Sequence, residues 1–405
     1  MKRRVAAVCL ALCLLCSLSG CFLTLPVTQE PAEPVKETVD PTLYLNEFRD
    51  AWCYRVLPAH LQTVYGALYT AVQDCEADES FTIRGEDGAD HAYIGVKVAL
   101  PTPLTDVADA RMVFNAFTTD NPQFFFVGNT YSYEGYRLDN TDYYDTFYLT
   151  FVMDAATRRD AKTSFETAIG AFLASVPQGA DDYETERHLH DKLINHVAYD
   201  RTAAESDEDA AHAAAFSAYG ALVEGRAVCE GYSRAMQVLL HRAGIPCTLV
   251  SGTADDTAHM WNIVTIDGLN YHLDPTWNDA GDRLQHTFFN LHTAAITKTH
   301  VPADDNLGVD TCTATEANYY LKENAYLDTN DRSMIAEAVA RQVASGKETV
   351  DLRFSKSTYA TAKQFVADIR RLQQYTNPFL NGEAMWDYVC QINDEYYTLT
   401  LHKEN

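Results

Sequence analysis

The chain has 405 residues, 47 % of them hydrophobic, with 57 acidic against 31 basic side chains and a formal charge of −26. An apolar share of that size in a chain this long builds two to three cores and excludes a disordered or low-complexity protein. The acidic balance excludes a surface made to neutralise nucleic-acid phosphates or to hold anionic lipid through basic residues.

At the start, Lys2, Arg3 and Arg4 precede an apolar stretch from Val5 to Leu18 that ends at Leu18-Ser19-Gly20-Cys21. This order reads as a signal peptide over residues 1–20, too short for a membrane span. The last four residues resemble the bacterial lipobox, which implies that Cys21 is diacylated and holds the mature chain on the outer face of the cell membrane. Cleavage there removes three basic and no acidic side chains, taking the charge from −26 to −29. Residues 21–42, rich in Pro, Glu and Thr after the lipidated cysteine, read as a solvated tether. Seven of the ten cysteines remain after cleavage: Cys21, Cys53, Cys75, Cys229, Cys247, Cys312 and Cys390. With Cys21 lipidated and Cys229 free, five are left and at least one more is unpaired, so a disulfide scaffold is not expected. No paired CxxC motif suggests zinc, and neither a structural metal nor a cofactor is expected.

Residues 43–154 read as an N-terminal α+β domain. A helical pattern (Phe48, Trp52, Val56, Leu57, His60, Leu61, Val64) opens it, and strand-like runs follow at Tyr93 to Leu100 and Tyr143 to Met153. The aromatics between Tyr131 and Tyr148 fit either a glycan or peptide groove or ordinary sheet packing. A helix from Ala155 to Ser175 leads into a core spanning 155–300. There Tyr183 to Tyr199 reads as a helix with Leu189, Leu193, Ile194 and Val197 on one face. His188, His190 and His196 share that helix without thiols or carboxylates at ligand spacing, and read as a solvated face. Asp200 to Ala213 is polar and reads as a surface loop.

The chemistry lies next. In GRAVCEGYS, Cys229 precedes Ala235, Val238, Leu239 and Arg242 at helical spacing, with Gly244-Ile245-Pro246 as the stop. Cys229 is therefore expected at a helix N-terminus, where unpaired N–H groups and the dipole favour a thiolate and can hold an oxyanion. His259, in HMWN, opens a strand that turns at Asp267-Gly268 and returns as Leu269 to Asp274, in HLDPTWND. With those two residues as the turn, Ile266 faces Leu269 and Trp261 faces Asp274, which makes His259 and Asp274 diagonal neighbours. His259, Trp261, Ile263, His272 and Asp274 then share one side, and Met260, Val264, Ile266, Leu269, Tyr271 and Leu273 an apolar side. Gly252 to Ala258 reads as a flexible border of the cleft. Singly, each of the three residues has a plain structural reading: a buried cysteine, a satisfied histidine, a turn aspartate. Together they are the nucleophile, base and orienting acid of thiol chemistry.

After the core, 301–348 reads as a connecting helical segment. Residues 349–405 read as a small α+β domain: Val350 to Phe354, a helix from Tyr359 to Gln374, then Tyr388 to Ile392 and Tyr396 to His402.

The three motifs in this order resemble the transglutaminase-like superfamily, with the matched core roughly Asp182 to His292. The resemblance implies an α+β fold with a papain-like core, N-terminal helices packed on an antiparallel sheet, and flanking domains of helix and strand. It implies Cys229, His259 and Asp274 as the catalytic residues and a thioester formed from a carboxamide. Water as acceptor makes a peptidase or amidase, the favoured outcome; an amine makes a crosslinking transglutaminase. A non-catalytic surface module that binds a peptide or glycan stands as the alternative. The expected partners are a peptide, a surface protein or a peptidoglycan stem peptide, with the membrane reached through Cys21 and no nucleic acid. The second oxyanion donor is open, with Tyr219 and Tyr232 as candidates.

Overall fold

The computed structural model describes residues 51–85, 87–206, 212–281, 283–309 and 311–404. The expected signal peptide, Cys21, the tether and Phe48 lie outside the described residues.

The opening helical pattern forms two helices, α1 (Trp52–Val56) and α2 (Ala59–Gln73), because Pro58 forces Leu57 out of the helical region, to φ −64° and ψ 144°. Strands β1 (Glu79–Arg84) and β2 (Asp90–Leu104), helix α3 (Val107–Asp120), and strands β3 (Val127–Leu138) and β4 (Thr141–Phe151) complete the first unit. Its sheet has the order β1-β2-β4-β3, antiparallel throughout. The aromatics of β3 and β4 pair across the strands: Tyr131 with Phe147 at 5.2 Å, Tyr133 with Tyr144 at 4.7 Å, and Tyr136 with Tyr143 at 5.3 Å. Tyr131 and Phe147 are buried, so sheet packing accounts for that pair.

Helix α4 (Ala155–Leu173) is capped by Asp154, and α5 (Asp182–His196) starts in a capping box of Asp181 and Glu184. Strand β5 (Ala198–Tyr199) pairs in parallel with β6 (Arg226–Ala227). Between them α6 (Arg201–Glu205) occupies part of the stretch read as a loop, because Asp200 caps it through Ala203 N at 3.0 Å. Then come α7 (Cys229–Arg242), β7 (Cys247–Ala254), β8 (Thr257–Ile266), β9 (Leu269–Leu273), α8 (Pro275–Asn278), α9 (Thr293–Ile296) and β10 (His300–Pro302). The second sheet is antiparallel with the order β10-β7-β8-β9. Asp267 and Gly268 form its turn at φ 53° and 78°, with Ile266 opposite Leu269. Gly252 to Ala258 is not a flexible loop. It is a second hairpin, turning at Asp255 and Asp256 with φ 46° and 62°, and β10 pairs along it.

Both faces of this sheet are covered. Val264, Ile266, Tyr271 and Leu273 join the main core with Ala235, Met236 and Leu239 of α7. Trp261 and Ile263 pack on the opposite face with Trp52, Val250 and Cys312. Leu269, assigned to the apolar side, is exposed because it flanks the turn.

The third unit holds α10 (Tyr319–Lys322), β11 (Tyr326–Leu327), α11 (Arg332–Ala344), β12 (Thr349–Phe354), α12 (Tyr359–Val366), α13 (Ile369–Thr376), β13 (Tyr388–Asn393) and β14 (Thr398–Lys403). The segment read as a connecting helical one holds α10 and α11 and also supplies β11, which adds to β12 in parallel and gives the order β11-β12-β14-β13. The helix expected from Tyr359 to Gln374 is two helices, since Asp368 caps α13 through Arg371 N. Ile335, Val339, Val350, Leu352, Leu399 and Leu401 form a core of its own. The fold class is α+β, with antiparallel pairing dominant and helices packed against the sheets. No helix among the described residues is long and apolar enough to cross a membrane.

Candidate active site

Cys229 is the first residue of α7, and no side chain caps that helix. Its first N–H groups therefore have no partner inside the helix and face outward as donors. The motif glycines make the position possible. Gly225 ends the preceding turn at φ +67°, and a Cβ on Gly231 would stand 2.5 Å from Ala215 O and 2.8 Å from Ala227 Cβ. Only glycine lets the helix start pack that closely on the 213–217 turn.

Two side chains stitch α7 to β8. Ser233 Oγ donates to Cys229 O and Met260 O, each at 2.9 Å, and Asn262 Nδ2 donates to Ser233 O at 3.0 Å. Both residues belong to the quoted motifs, GYS and HMWN. They fix the helix start against the strand that carries His259, which brings Cys229 near enough to act on the charge of the His259 imidazole.

The hairpin register delivers the third residue. Asn262 pairs with Leu273, which places Asp274 beside the strand at Trp261, and His259 Nε2 donates to Asp274 Oδ2 at 2.7 Å. Asp274 Oδ1 accepts Trp277 N–H at 3.0 Å, and the backbone of Asp274 bonds Phe288 O. A carboxylate only accepts, so Nε2 carries a proton and Nδ1 is left for the thiol. Burial works against the charged imidazole, but Asp274, with help from Cys229, outweighs it and pushes His259 up to about 10. Burial likewise opposes the Asp274 charge, yet His259 and His300 hold its carboxyl well below the usual range. Asp274 is 0 % exposed, so both contacts act in a medium that screens them little.

The remaining motif residues support this frame. Asn278 accepts Phe288 N–H at 2.9 Å, and Asp279 accepts the Tyr232 hydroxyl at 2.6 Å. Tyr232 is buried and its hydroxyl is engaged by Asp279 and Val197 O, which removes it as an oxyanion donor. Tyr219 stacks on Phe125 at 4.9 Å, in the wall between the first unit and the core. Indoles of Trp261 and Trp277 flank His259 at 6.1 Å and 5.8 Å.

Sequence reasoning missed His300. It lies in no motif, yet it is fully buried and its Nε2 is 3.0 Å from Asp274 Oδ2. It also misread His190, which is not on a solvated face. His190 is 0 % exposed and accepts Asn278 Nδ2–H at 3.0 Å while its Nδ1 donates to Asp191 at 2.9 Å. Two clusters among the described residues have metal-ligand composition: His259, Asp274, His300 and His190, Asp191, His286. Their direct N···O separations are 2.7 to 3.0 Å. Two ligands on one tetrahedral ion stand about 3.4 Å apart, so the spacing is that of hydrogen bonds.

Residues 172–275 match the model of the transglutaminase-like superfamily, whose members include cysteine-dependent acyltransferases and proteases. This segment is a transglutaminase-like domain. It contains α5, α7, the β7–β9 sheet and all three candidate residues, and ends at Pro275, before β10. Solved structures that resemble part of the chain include the following two. One described as a TGase is 16 % identical over 38 % of this chain and 46 % of its own, with a TM-score of 0.27. The other, a candidate protease from Parabacteroides distasonis, is 12 % identical over 35 % and 30 %, with a TM-score of 0.21. The chain thus spans less than half the length of either, and at these scores neither bears on activity. No curated protein matches the chain.

Proposed function

We propose that the transglutaminase-like domain is a cysteine-dependent acyl-transfer enzyme that cleaves a peptide or carboxamide bond through Cys229, His259 and Asp274. The observation that carries this reading is the uncapped start of α7, which sets a nucleophile type and free N–H donors beside a buried His259–Asp274 pair 2.7 Å apart. His259 takes the proton of Cys229, and the thiolate adds to the carbonyl carbon. The oxyanion meets the N–H groups of the helix start. His259 then protonates the departing amine, the C–N bond breaks, and a thioester remains on Cys229. Water, deprotonated by His259, attacks the thioester, releases a carboxylate and restores the thiol. Asp274 holds His259 in the tautomer that faces Cys229.

Hydrolysis is the outcome because water is the acceptor wherever a site does not exclude it. The lipobox at Cys21 supports attachment to the outer face of a bacterial membrane, which brings peptides, surface proteins and peptidoglycan stem peptides within reach. The test is intact-mass analysis of the protein mixed with glutamine-containing peptides, with and without a primary amine. A thioester adduct on Cys229 that decays to free peptide acid supports hydrolysis. Amine-linked peptide as the main product replaces hydrolysis with transamidation, and no adduct with any peptide removes the enzyme reading.

A further inference from the structure

The superfamily match stops at Pro275, yet Asp274 is held from beyond it. His300 on β10 reaches the Oδ2 that His259 also uses, at 3.0 Å against 2.7 Å. Its Nδ1 lies 2.8 Å from Thr299 Oγ1, and that hydroxyl lies 2.8 Å from the hydroxyl of Tyr396. Tyr396, 1 % exposed, sits in the turn between β13 and β14, its hydroxyl 3.1 Å from Ala295 O and nearer to Thr299. Lys298 pins the same turn by donating to Glu395 O at 2.8 Å. Close approach of β10 depends on Gly252, where a Cβ would stand 2.2 Å from Val301 O. Rings of Trp261, Trp277 and Phe288 surround His300 at 5.0, 4.6 and 5.7 Å. They keep water from bonds that are stronger for its absence.

We propose that His300 is a positioning residue for the acyl-transfer site, and that the C-terminal unit is a working part of that site through Tyr396 and Thr299. This rests on the acyl-transfer reading above. Ionised Asp274 only accepts, so His300 presents Nε2–H to it, its Nδ1 accepts the Thr299 O–H, and Thr299 Oγ1 accepts the Tyr396 O–H. That bond does two things. It fixes the rotation of the carboxylate so that Oδ2 stays on His259, and it draws charge from that oxygen, which moderates its pull on the His259 imidazolium. The titratable groups facing His300 are His259 on β8, His272 on β9, Asp274 just after β9, and Tyr396 from the C-terminal turn. Lys298, Glu395 and Arg353 stand around Tyr396.

The test alkylates the whole chain with iodoacetate, an anion whose rate at Cys229 falls when the adjacent imidazolium loses its proton. His300→Phe keeps a ring and removes the N–H. The alkaline limb of the rate should move up by about half a pH unit, and single-turnover acylation should slow about 10–100-fold. His300→Gln, whose amide still offers an N–H, should return both towards wild type. Tyr396→Phe leaves His300 in place and should move the limb the same way by less. A reactive Cys229 with an unmoved limb in His300→Phe overturns the role of His300 alone. An inert Cys229 in the wild type overturns the acyl-transfer reading with it. Should His300→Phe fail to fold, an unmoved limb in Tyr396→Phe overturns the proposal.

Discussion

Two clusters in this molecule are built from the same residue types, histidine and aspartate, in different arrangements. At one, a single carboxylate, Asp274, takes two imidazoles, His259 and His300. At the other His286 lies between two carboxylates, with Nε2 at 2.8 Å from Asp191 and Nδ1 at 2.7 Å from Asp351, and His190 Nδ1 also donates to Asp191 at 2.9 Å. The first cluster borders a thiol, that of Cys229, with which His259 can exchange a proton. At the second, both nitrogens of His286 are committed to carboxylates. Burial opposes its charge, but Asp191 and Asp351 push His286 up to about 9. The Tyr319 ring stacks on it at 3.8 Å, and Thr400 donates to Asp351 at 2.6 Å. That cluster ties α5 and the 283–289 segment to β12 of the C-terminal unit. The first arrangement suits chemistry and the second cohesion.

Substitutions can separate the two. The largest effect is expected from Cys229→Ala, which should abolish acyl transfer by about a thousandfold or more while leaving the unfolding midpoint within error; turnover and urea titration measure both. Next, His286→Gln should cost roughly 3 kcal/mol of stability by leaving Asp351 buried without its cation, while Asp191 keeps His190 and Arg187, read as a lower urea midpoint, with Cys229 still reactive in the folded protein. A reversed pattern, in which His286→Gln lowers reactivity more than stability, breaks the distinction.

The same contrast predicts a pH dependence. His286 is charged in both states below about 6.5, so its contribution is whole there. As pH rises from that value towards about 9 the unfolded chain gives up the proton that the folded one keeps, and the contribution is lost. Asp191, which burial would raise but His286 and His190 hold well below the carboxylate range, adds stability above about pH 4 that is lost on acidification. Urea midpoints should therefore fall on both sides of that window, and His286→Gln should flatten the alkaline fall.

A smaller effect is expected at Glu186 on α5. Burial pushes its carboxyl up to about 8, although Asn290 donates to one oxygen at 2.7 Å, and the other oxygen has no hydrogen bond. A group that folding forces to stay protonated costs stability once the unfolded chain ionises it. Glu186→Gln should then raise stability at pH 7 by roughly 2 kcal/mol and change nothing at pH 4; equal midpoints at pH 7 would show that Glu186 is ionised in the folded chain.

What was legible in the sequence is what local chemistry encodes. Asp267-Gly268 announced a two-residue turn, and counting back from it placed Asp274 beside His259. The stop after Arg242 and the helical spacing from Cys229 announced α7. The second hairpin was hidden because Asp255-Asp256 carries no glycine, although both residues adopt positive φ. His300 and Tyr396 were hidden for another reason. Their bonds to Asp274 and Thr299 span 26 and 97 residues, and no periodicity connects positions brought together only by the packing of β10 and the C-terminal turn. His190 misled because a histidine on a helix looks solvated until Asn278, 88 residues away, is known to face it.

The most direct test of the Cys229–His259 pair compares alkylation rates by iodoacetamide across pH, with each modified cysteine located by mass spectrometry, in the wild type and in His259→Ala. Burial raises the thiols of Cys53, Cys75 and Cys247, and that of Cys390 to about 11, so they serve as internal references. Cys229 should label far faster than these at pH 6, and the excess should disappear in His259→Ala. Equal labelling of Cys229 in both proteins would contradict the thiol–imidazole pair and leave the domain as a binding module.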